Sequence, residues 1–327
     1  MRVAAIGVGH WHALHDAAYL RHLAAMPDVE IVGLHDPDAA VVAGRAAAVG
    51  SPPVFTDHRE LLSATRPDFV IALGAHATMA GVAHYLIDHG HPFLMEKPMG
   101  LHAGEVAAVA ARAAARNAFV AVPLAWRYQP FVVHARRLLA ERRFGPLSHI
   151  GFRLNRPTSA RYPAWDSGWM LDPARSGGGC LRNLGNHGLD AFLFLTGEEA
   201  QVTGAQVSAR ALGQPVEDYA SVLVRSASGV LGTIEVGNTS PRAGVDTAAR
   251  VSGRDAMLVL WNDVLRFVSA KDDETFRGEP EAPMAQLALR DALDHWKRGS
   301  PPPISVHDLV PVVRLIDQAY ALAGRAS

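Results

Sequence analysis

Through the first third of the chain, short runs that are almost continuously apolar alternate with longer segments dense in Ala and Leu. Val3 to Ile6, Val29 to Leu34, Phe69 to Leu73, Phe93 to Met95 and Phe119 to Val122 form the apolar runs. Runs without polar alternation suit strands covered on both faces, so the pattern predicts a parallel sheet. The intervening stretches, about His12 to Ala25, Ala39 to Val49, Ala77 to His89 and Ala103 to Arg116, are rich in helix formers, with Gly50 and Gly90 where C-caps belong. Repeated βαβ units with right-handed crossovers follow by rule. From about Leu147 the texture changes. Ile150 to Leu154, Tyr219 to Val224 and Val230 to Val236 alternate in the manner of antiparallel strands with one wet face. Between the first two lies a long loop, Arg156 to Gly179, that runs into a helix, and long ordered loops are usually functional. A last amphipathic helix, Leu309 to Ala323, follows the breaker Pro301-Pro302-Pro303.

Length and charge narrow the field further. A chain of 327 residues exceeds what one hydrophobic core usually supports, so two domains are expected. The fold class read from the pattern is α/β followed by α+β: a doubly wound parallel sheet of Rossmann type, then a mostly antiparallel sheet. Net charge is −1 and the pI about 7.0, which gives no electrostatic footprint for nucleic acid or for an anionic membrane. No stretch reaches the ~20 apolar residues a bilayer span needs, and the opening run is too short for a signal peptide. The single cysteine, Cys180, excludes a disulfide framework and a Cys-based zinc cage and suits a reducing cytoplasm. It stands at a helix start, where a thiolate is conceivable, but it reads as a small packed residue.

The first strand ends in Gly7-Val8-Gly9-His10-Trp11-His12, which places backbone N–H groups where a pyrophosphate could sit. This is most of a dinucleotide fingerprint, with His12 where the third glycine would allow close helix packing. The second strand ends at Asp36, near the offset at which an acidic side chain takes ribose hydroxyls. Asp36 could also serve as an N-cap ahead of Pro37, a role compatible with cofactor binding, which the strand-turn-helix context favours. The carboxylate favours NAD over NADP, because the nearest cation, Arg45, lies most of a helix away. His10, His12 and His15 lack metal-ligand spacing, so no metal is expected. The fifth strand runs into Glu96-Lys97-Pro98 at the carboxyl edge of the sheet, where a lysine can bind a substrate hydroxyl and exchange its proton. Gly177 to Asp190 is a glycine-rich helix entry in which Asn183 and His187, four apart, share one face, with the imidazole available as acid or base. In the long loop Arg161, Tyr162, Trp165, Asp166, Trp169 and Arg175 suit stacking on a sugar ring and gripping an anion, or else sealing the loop or a subunit contact.

Taken in order, Gly7 to His12, Asp36, Glu96-Lys97-Pro98, Trp126-Arg127-Tyr128-Gln129-Pro130 and Gly177 to Asp190 resemble the glucose-fructose oxidoreductase, inositol dehydrogenase and rhizopine-catabolism (Gfo/Idh/MocA) family. The resemblance spans nearly the whole chain. It implies hydride transfer between a sugar, polyol or related hydroxy carbon and nicotinamide. Lys97 and His187 match the family's catalytic pair, with Asn183 beside them where many members carry aspartate. The implied cofactor contacts are Gly7, Gly9, His10, Trp11, His12, Asp36, Gly74, Ala75, His76, Glu96, Lys97 and Arg127. At Gly74-Ala75-His76 the family's usual Pro and later His are missing. The implied substrate contacts are Lys97, Trp126, Arg127, Arg161, Trp165, Trp169, Asn183 and His187. The resemblance divides the chain into a nucleotide domain over 1–122 and a substrate and oligomerisation domain over 123–304, with a helix over 305–327 packing back on the first. It further implies a large open sheet and a homodimer or homotetramer made through it. Two rival functions stay open: redox-assisted glycoside cleavage with bound NAD, and an NAD-binding sensor or scaffold without turnover.

Overall fold

The computed structural model describes residues 1–324, so positions 325–327 of the expected terminal helix lie outside the described residues. The chain divides into two compact units. The first comprises Met1–Pro123, Ala160–Gly177 and Ala285–Val310; the second comprises Leu124–Ser159, Gly178–Met284 and the chain from Pro311.

In the first unit six strands, β1 (Arg2–Ile6), β2 (Glu30–His35), β3 (Val54–Phe55), β4 (Phe69–Ala72), β5 (Phe93–Met95) and β6 (Val120–Ala121), form a parallel sheet in the order β3-β2-β1-β4-β5-β6. Strand order reverses between β1 and β4, and the turns after these two strands open a crevice at the carboxyl edge. Val3, Ala5, Leu34, Phe69 and Ile71 are fully buried on the sheet, and Leu289 and Leu293 of the helix Met284–Lys297 pack against them. Two of the helices start on side-chain caps, Asp38 for Ala39–Ala47 and Asp57 for His58–Thr65. Two elements here escape sequence patterning. β3 is only two residues long, too short for a periodic signal, and it leads into the helix His58–Thr65.

The expected helix from His12 to Ala25 is broken. A single 3₁₀ turn, Trp11–Ala13, is followed by left-handed residues Asp16 (φ 51°) and Ala18 (φ 46°), and an α-helix begins only at Tyr19 and runs to Ala24. Left-handed backbone costs about 1–2 kcal/mol per L-residue. The offset is burial: Tyr19, Leu20 and Leu23 are all at most 1 % exposed.

In the second unit eight strands, β7 (Leu147–Pro157), β8 (Ala200–Ser208), β9 (Tyr219–Ser226), β10 (Leu231–Ser240), β11 (Thr247–Gly253), β12 (Ala256–Trp261), β13 (Val264–Ser269) and β14 (Asp273–Arg277), form a sheet in the order β14-β13-β12-β11-β7-β10-β9-β8. All neighbours are antiparallel except β7 and β10, which run parallel. The mostly antiparallel sheet that the sequence predicts is present, with this one parallel pair in it. The exception follows from the connection: the helix Cys180–Thr196 carries the chain back between β7 and β8, and two hairpin reversals later β10 points the same way as β7. That helix lies tightly on the sheet, for a Cβ at Gly188 would come within 2.5 Å of the Phe152 ring and 2.7 Å of Ile234. The opposite face alternates polar residues with exposed Leu223, Leu231, Met257, Trp261 and Val264.

Candidate active site

The turn after β1 is built by contacts that only glycine permits. Gly7 sits at φ +71°, and a Cβ there would come within 2.8 Å of the Gly74 backbone that follows β4. Its N–H and that of Val8 both donate to the His35 carbonyl, at 2.8 and 3.1 Å. Gly9 N–H donates to Asp36 Oδ2 at 2.6 Å, and Asp38 N–H to Asp36 Oδ1 at 3.1 Å. Burial pushes the Asp36 carboxyl up, and these two amides pull it back toward ionisation. The N-cap role falls instead to Asp38, whose Oδ1 accepts from Ala40 and Val41. Asp36 is therefore clasped to the glycine turn.

Residues 160–177, within the loop Arg156 to Gly179 that the sequence offered either as a sugar platform or as a seal of the loop or a subunit contact, form a strap across this turn. Ser167, wholly buried, donates from Oγ to the Gly9 carbonyl at 2.8 Å. Arg45 donates from Nε to the Val8 carbonyl at 3.1 Å and from Nη2 to the Trp165 carbonyl at 2.9 Å, and pairs with Asp166 at 3.3 Å. His76 Nδ1 lies 2.7 Å from the Ser176 carbonyl. The Trp169 ring stands 5.0 Å from His76, 5.6 Å from His10 and 5.9 Å from Trp11, and Trp165 stacks on His15 at 4.6 Å. Arg161 lies over the Tyr162 ring at 4.5 Å. Between turn and strap is a cleft of about 830 Å³, with Gly7, Gly9, Asp36 and Gly74 on one side and Trp169 and Arg175 on the other.

At the end of β5, Glu96 and Lys97 are both 2 % exposed. Glu96 Oε1 accepts the Tyr19 hydroxyl at 2.7 Å and lies 2.8 Å from His12 Nδ1, while Oε2 accepts the Lys97 backbone N–H at 3.1 Å. Burial opposes ionisation of Glu96, but the charge and hydrogen bond of His12 and the charge of Lys97 outweigh it and hold the carboxyl well below its usual range. His12 thus points at a carboxylate rather than into the glycine turn. Burial pushes His10 the other way, so that its imidazole is neutral near pH 7.

The second unit holds the remaining candidates, Trp126, Arg127, Asn183 and His187. Arg127 grips Asp190 through Nε at 3.0 Å and Nη2 at 2.7 Å and lies over the Phe194 ring at 4.4 Å, so it braces the helix Cys180–Thr196. Trp126 packs edge-on against Phe152 at 4.6 Å. Asn183 is buried and His187 half-buried on that same helix. The helix start is filled by Glu217, whose Oε1 accepts from Gly179 N–H at 2.8 Å, Leu181 N–H at 3.0 Å and the Tyr320 hydroxyl at 2.6 Å. Cys180 is packed, its thiol pushed up by burial and its Sγ 3.4 Å from the Val236 carbonyl.

Residues 1–123 match the oxidoreductase family model for an NAD-binding Rossmann fold, and residues 132–259 match the Gfo/Idh/MocA C-terminal domain. The chain belongs to the Gfo/Idh/MocA family. Among curated relatives, D-apiose dehydrogenase of Paraburkholderia graminis is 23% identical over 92% of this chain and 84% of its own length. A protein of Amycolatopsis mediterranei named as a UDP-kanosamine synthase oxidoreductase subunit is 31% identical over 62% of this chain, and the match spans only 54% of that relative. An Agrobacterium radiobacter oxidoreductase, solved with NAD+, L-tartaric acid and magnesium, shares the fold at TM-score 0.87, with 16% identity over 99% of this chain and 96% of that one.

This Gfo/Idh/MocA protein is an NAD(P)-dependent oxidoreductase, and its own residues suit the cofactor. Two glycine backbones meet at the crevice, where a Cβ on Gly7 would clash with Gly74, and a carboxylate closes the end of β2. Among the described residues no cluster of His, Cys, Asp and Glu could hold a metal ion, and no helix is long and apolar enough to cross a membrane. Sequence reasoning missed Tyr19, Ser167 and Glu217. Each acts through a partner tens of residues or more away, and nothing local in the sequence marks such a pairing.

Proposed function

We propose that this oxidoreductase transfers hydride between a hydroxyl-bearing carbon of a sugar or polyol and nicotinamide, with Lys97 and His187 as the acid/base groups. When bound, the cofactor supplies the hydride acceptor. The observation that carries the reading is Lys97 itself: a lysine 2 % exposed at the carboxyl end of β5, in the unit whose glycine crevice suits a dinucleotide. An ammonium held there can bind the reacting hydroxyl and exchange its proton. On the helix Cys180–Thr196, His187 offers a second proton acceptor, with Asn183 one turn earlier offering an amide to a substrate hydroxyl. The name D-apiose dehydrogenase, borne by one relative, supports a sugar as the substrate class. NAD is the preferred cofactor in this reading. Asp36 closes the ribose end, and Arg45 is held by Val8, Trp165 and Asp166, away from any 2′-phosphate.

The test is absorbance at 340 nm with NAD and with NADP against sugars, inositols, sugar acids and lactones, with Lys97→Ala as the blank. Net NADH from a free sugar, abolished in the variant, is the expected result. Equal response of wild type and variant removes Lys97 from the mechanism. We infer further that a second copy of the chain covers the open face of the β7–β14 sheet. Leu223, Leu231, Trp261 and Val264 are each more than half exposed on strands that pair in register, an apolar content that a lone sheet face rarely leaves in water. Light scattering should give a dimer or tetramer, and Trp261→Glu should lower the order.

A further inference from the structure

His12 stands where the fingerprint would place a glycine, yet its ring makes a contact of its own. Nδ1 is 2.8 Å from Glu96 Oε1, and the Tyr19 hydroxyl donates to the same oxygen from 2.7 Å. An ionised carboxylate only accepts, so the hydrogen of this bond belongs to Nδ1. The other carboxylate oxygen accepts the Lys97 backbone N–H. The break in the first helix acquires a reason here, since the two left-handed residues Asp16 and Ala18 precede the Tyr19 whose hydroxyl meets Glu96.

We propose that His12 is a positioning residue for Lys97: together with Tyr19 it clamps the Glu96 carboxylate, which holds the lysine backbone and sets the charge beside the ammonium. Glu96 is the intermediary. Fixed by two donors on one oxygen, it cannot rotate away from the end of β5, so the neighbouring ammonium always meets a carboxylate at one distance. Loss of the His12 donor frees that rotation and weakens the attraction that keeps Lys97 protonated. The titratable groups around the clamp are His10, held neutral by burial, with its ring 4.9 Å from His12; Tyr19, pushed far up by burial; Glu96; Lys97; and His76 beyond His10.

The proposal rests on Lys97 being the acid/base group, and its test separates the two claims. The chain has three lysines, Lys97, Lys271 and Lys297, so 13Cε-lysine NMR of the unliganded protein resolves the titration of Lys97 without any turnover. In His12→Phe the Lys97 midpoint should fall by about half a pH unit or more, and kcat should fall about tenfold. His12→Gln, which can still donate an N–H to Glu96, should restore the midpoint and most of kcat. Tyr19→Phe should lower the midpoint in part, and stands in where His12→Phe does not fold. An unmoved Lys97 midpoint in both His12→Phe and Tyr19→Phe overturns the clamp. A shifted midpoint with full activity in Lys97→Ala keeps the clamp as a structural fact but overturns both the lysine's assigned role and the positioning of a reacting group.

Discussion

Two glycine-rich turns lead into helical segments in this protein, and they differ in what meets their N–H groups. The Gly177 to Gly179 entry is closed from within. Buried Glu217 accepts from Gly179, Leu181 and Tyr320 with a single oxygen, so the start of the helix Cys180–Thr196 already has its anion. The Gly7 to His12 turn leads only into a short 3₁₀ turn, its amides are tied to His35 and Asp36, and it faces a cleft of about 830 Å³. Glycine spacing alone does not distinguish a ligand cradle from a capped helix. The source of the capping carboxylate does: Glu217 serves only to fix the helix, whereas Asp36 sits at the edge of a crevice.

The sharpest way to break the comparison is at Gly7. Alanine there would need left-handed backbone and would press on Gly74 at 2.8 Å, costing about 2–4 kcal/mol by strain and overpacking together. Calorimetry should show a lower Tm, and titration with NAD little or no binding. Glu217→Ala is next, because it leaves three buried donors without their acceptor, at about 2–3 kcal/mol. Its NAD affinity should stay within about twofold, since the donors it caps, Gly179, Leu181 and Tyr320, belong to the second unit and not to the glycine turn of the first. Glu217→Gln should cost less, because an amide oxygen still accepts. If Glu217→Ala abolishes NAD binding while leaving Tm unchanged, the assignment of the second turn to structure is wrong.

Much of this was legible in the sequence, for definable reasons. Apolar runs buried on both faces marked five of the six parallel strands; the two-residue β3 carried no period to read. The Ala103–Arg116 helix was bounded correctly because Ala and Arg fill it and Asn117 ends it in the left-handed conformation. The helix from His12 failed because its composition favours helix, while burial of Tyr19 beside Glu96 imposes left-handed residues just before it. Trp165, Trp169 and Arg161 showed that the long loop mattered, but not that it straps the glycine turn. That depends on Ser167 and Arg45, which bond to main-chain carbonyls, and a bond to a carbonyl imposes no pattern on the partner's side chain.

Removal of the carboxylate at Asp36 gives a smaller effect than either turn substitution. Asp36→Ala deletes a charged acceptor of the kind worth about 1.5–3 kcal/mol, so NAD affinity should fall by about ten- to a hundredfold in calorimetric titration. The ratio of NAD to NADP affinity should narrow at the same time, because the repulsion of a 2′-phosphate is lost along with the ribose contact. An unchanged ratio would detach Asp36 from cofactor choice and leave it as a clasp on Gly9 alone.

The smallest difference between the turns is in their response to acid. His35 follows the first turn's hydrogen bonds, lines the cleft, and is lowered by burial and by neighbouring His58 from 6.5 to about 4. Its folded-state pKa lies below its unfolded value, so the unfolded chain binds the extra proton first. Stability from this group is complete above pH 6.5 and is lost as pH falls toward about 4. The slope from one such proton is at most about 1.4 kcal/mol per pH unit. Around the second turn, burial pushes Cys180 and Tyr320 upward instead, so neither titrates in that window. Urea unfolding of wild type and His35→Phe across the window compares the chain with and without this imidazole. The variant should lose less stability on acidification, and parallel curves would mean that His35 is as open to protons in the folded chain as in the unfolded one.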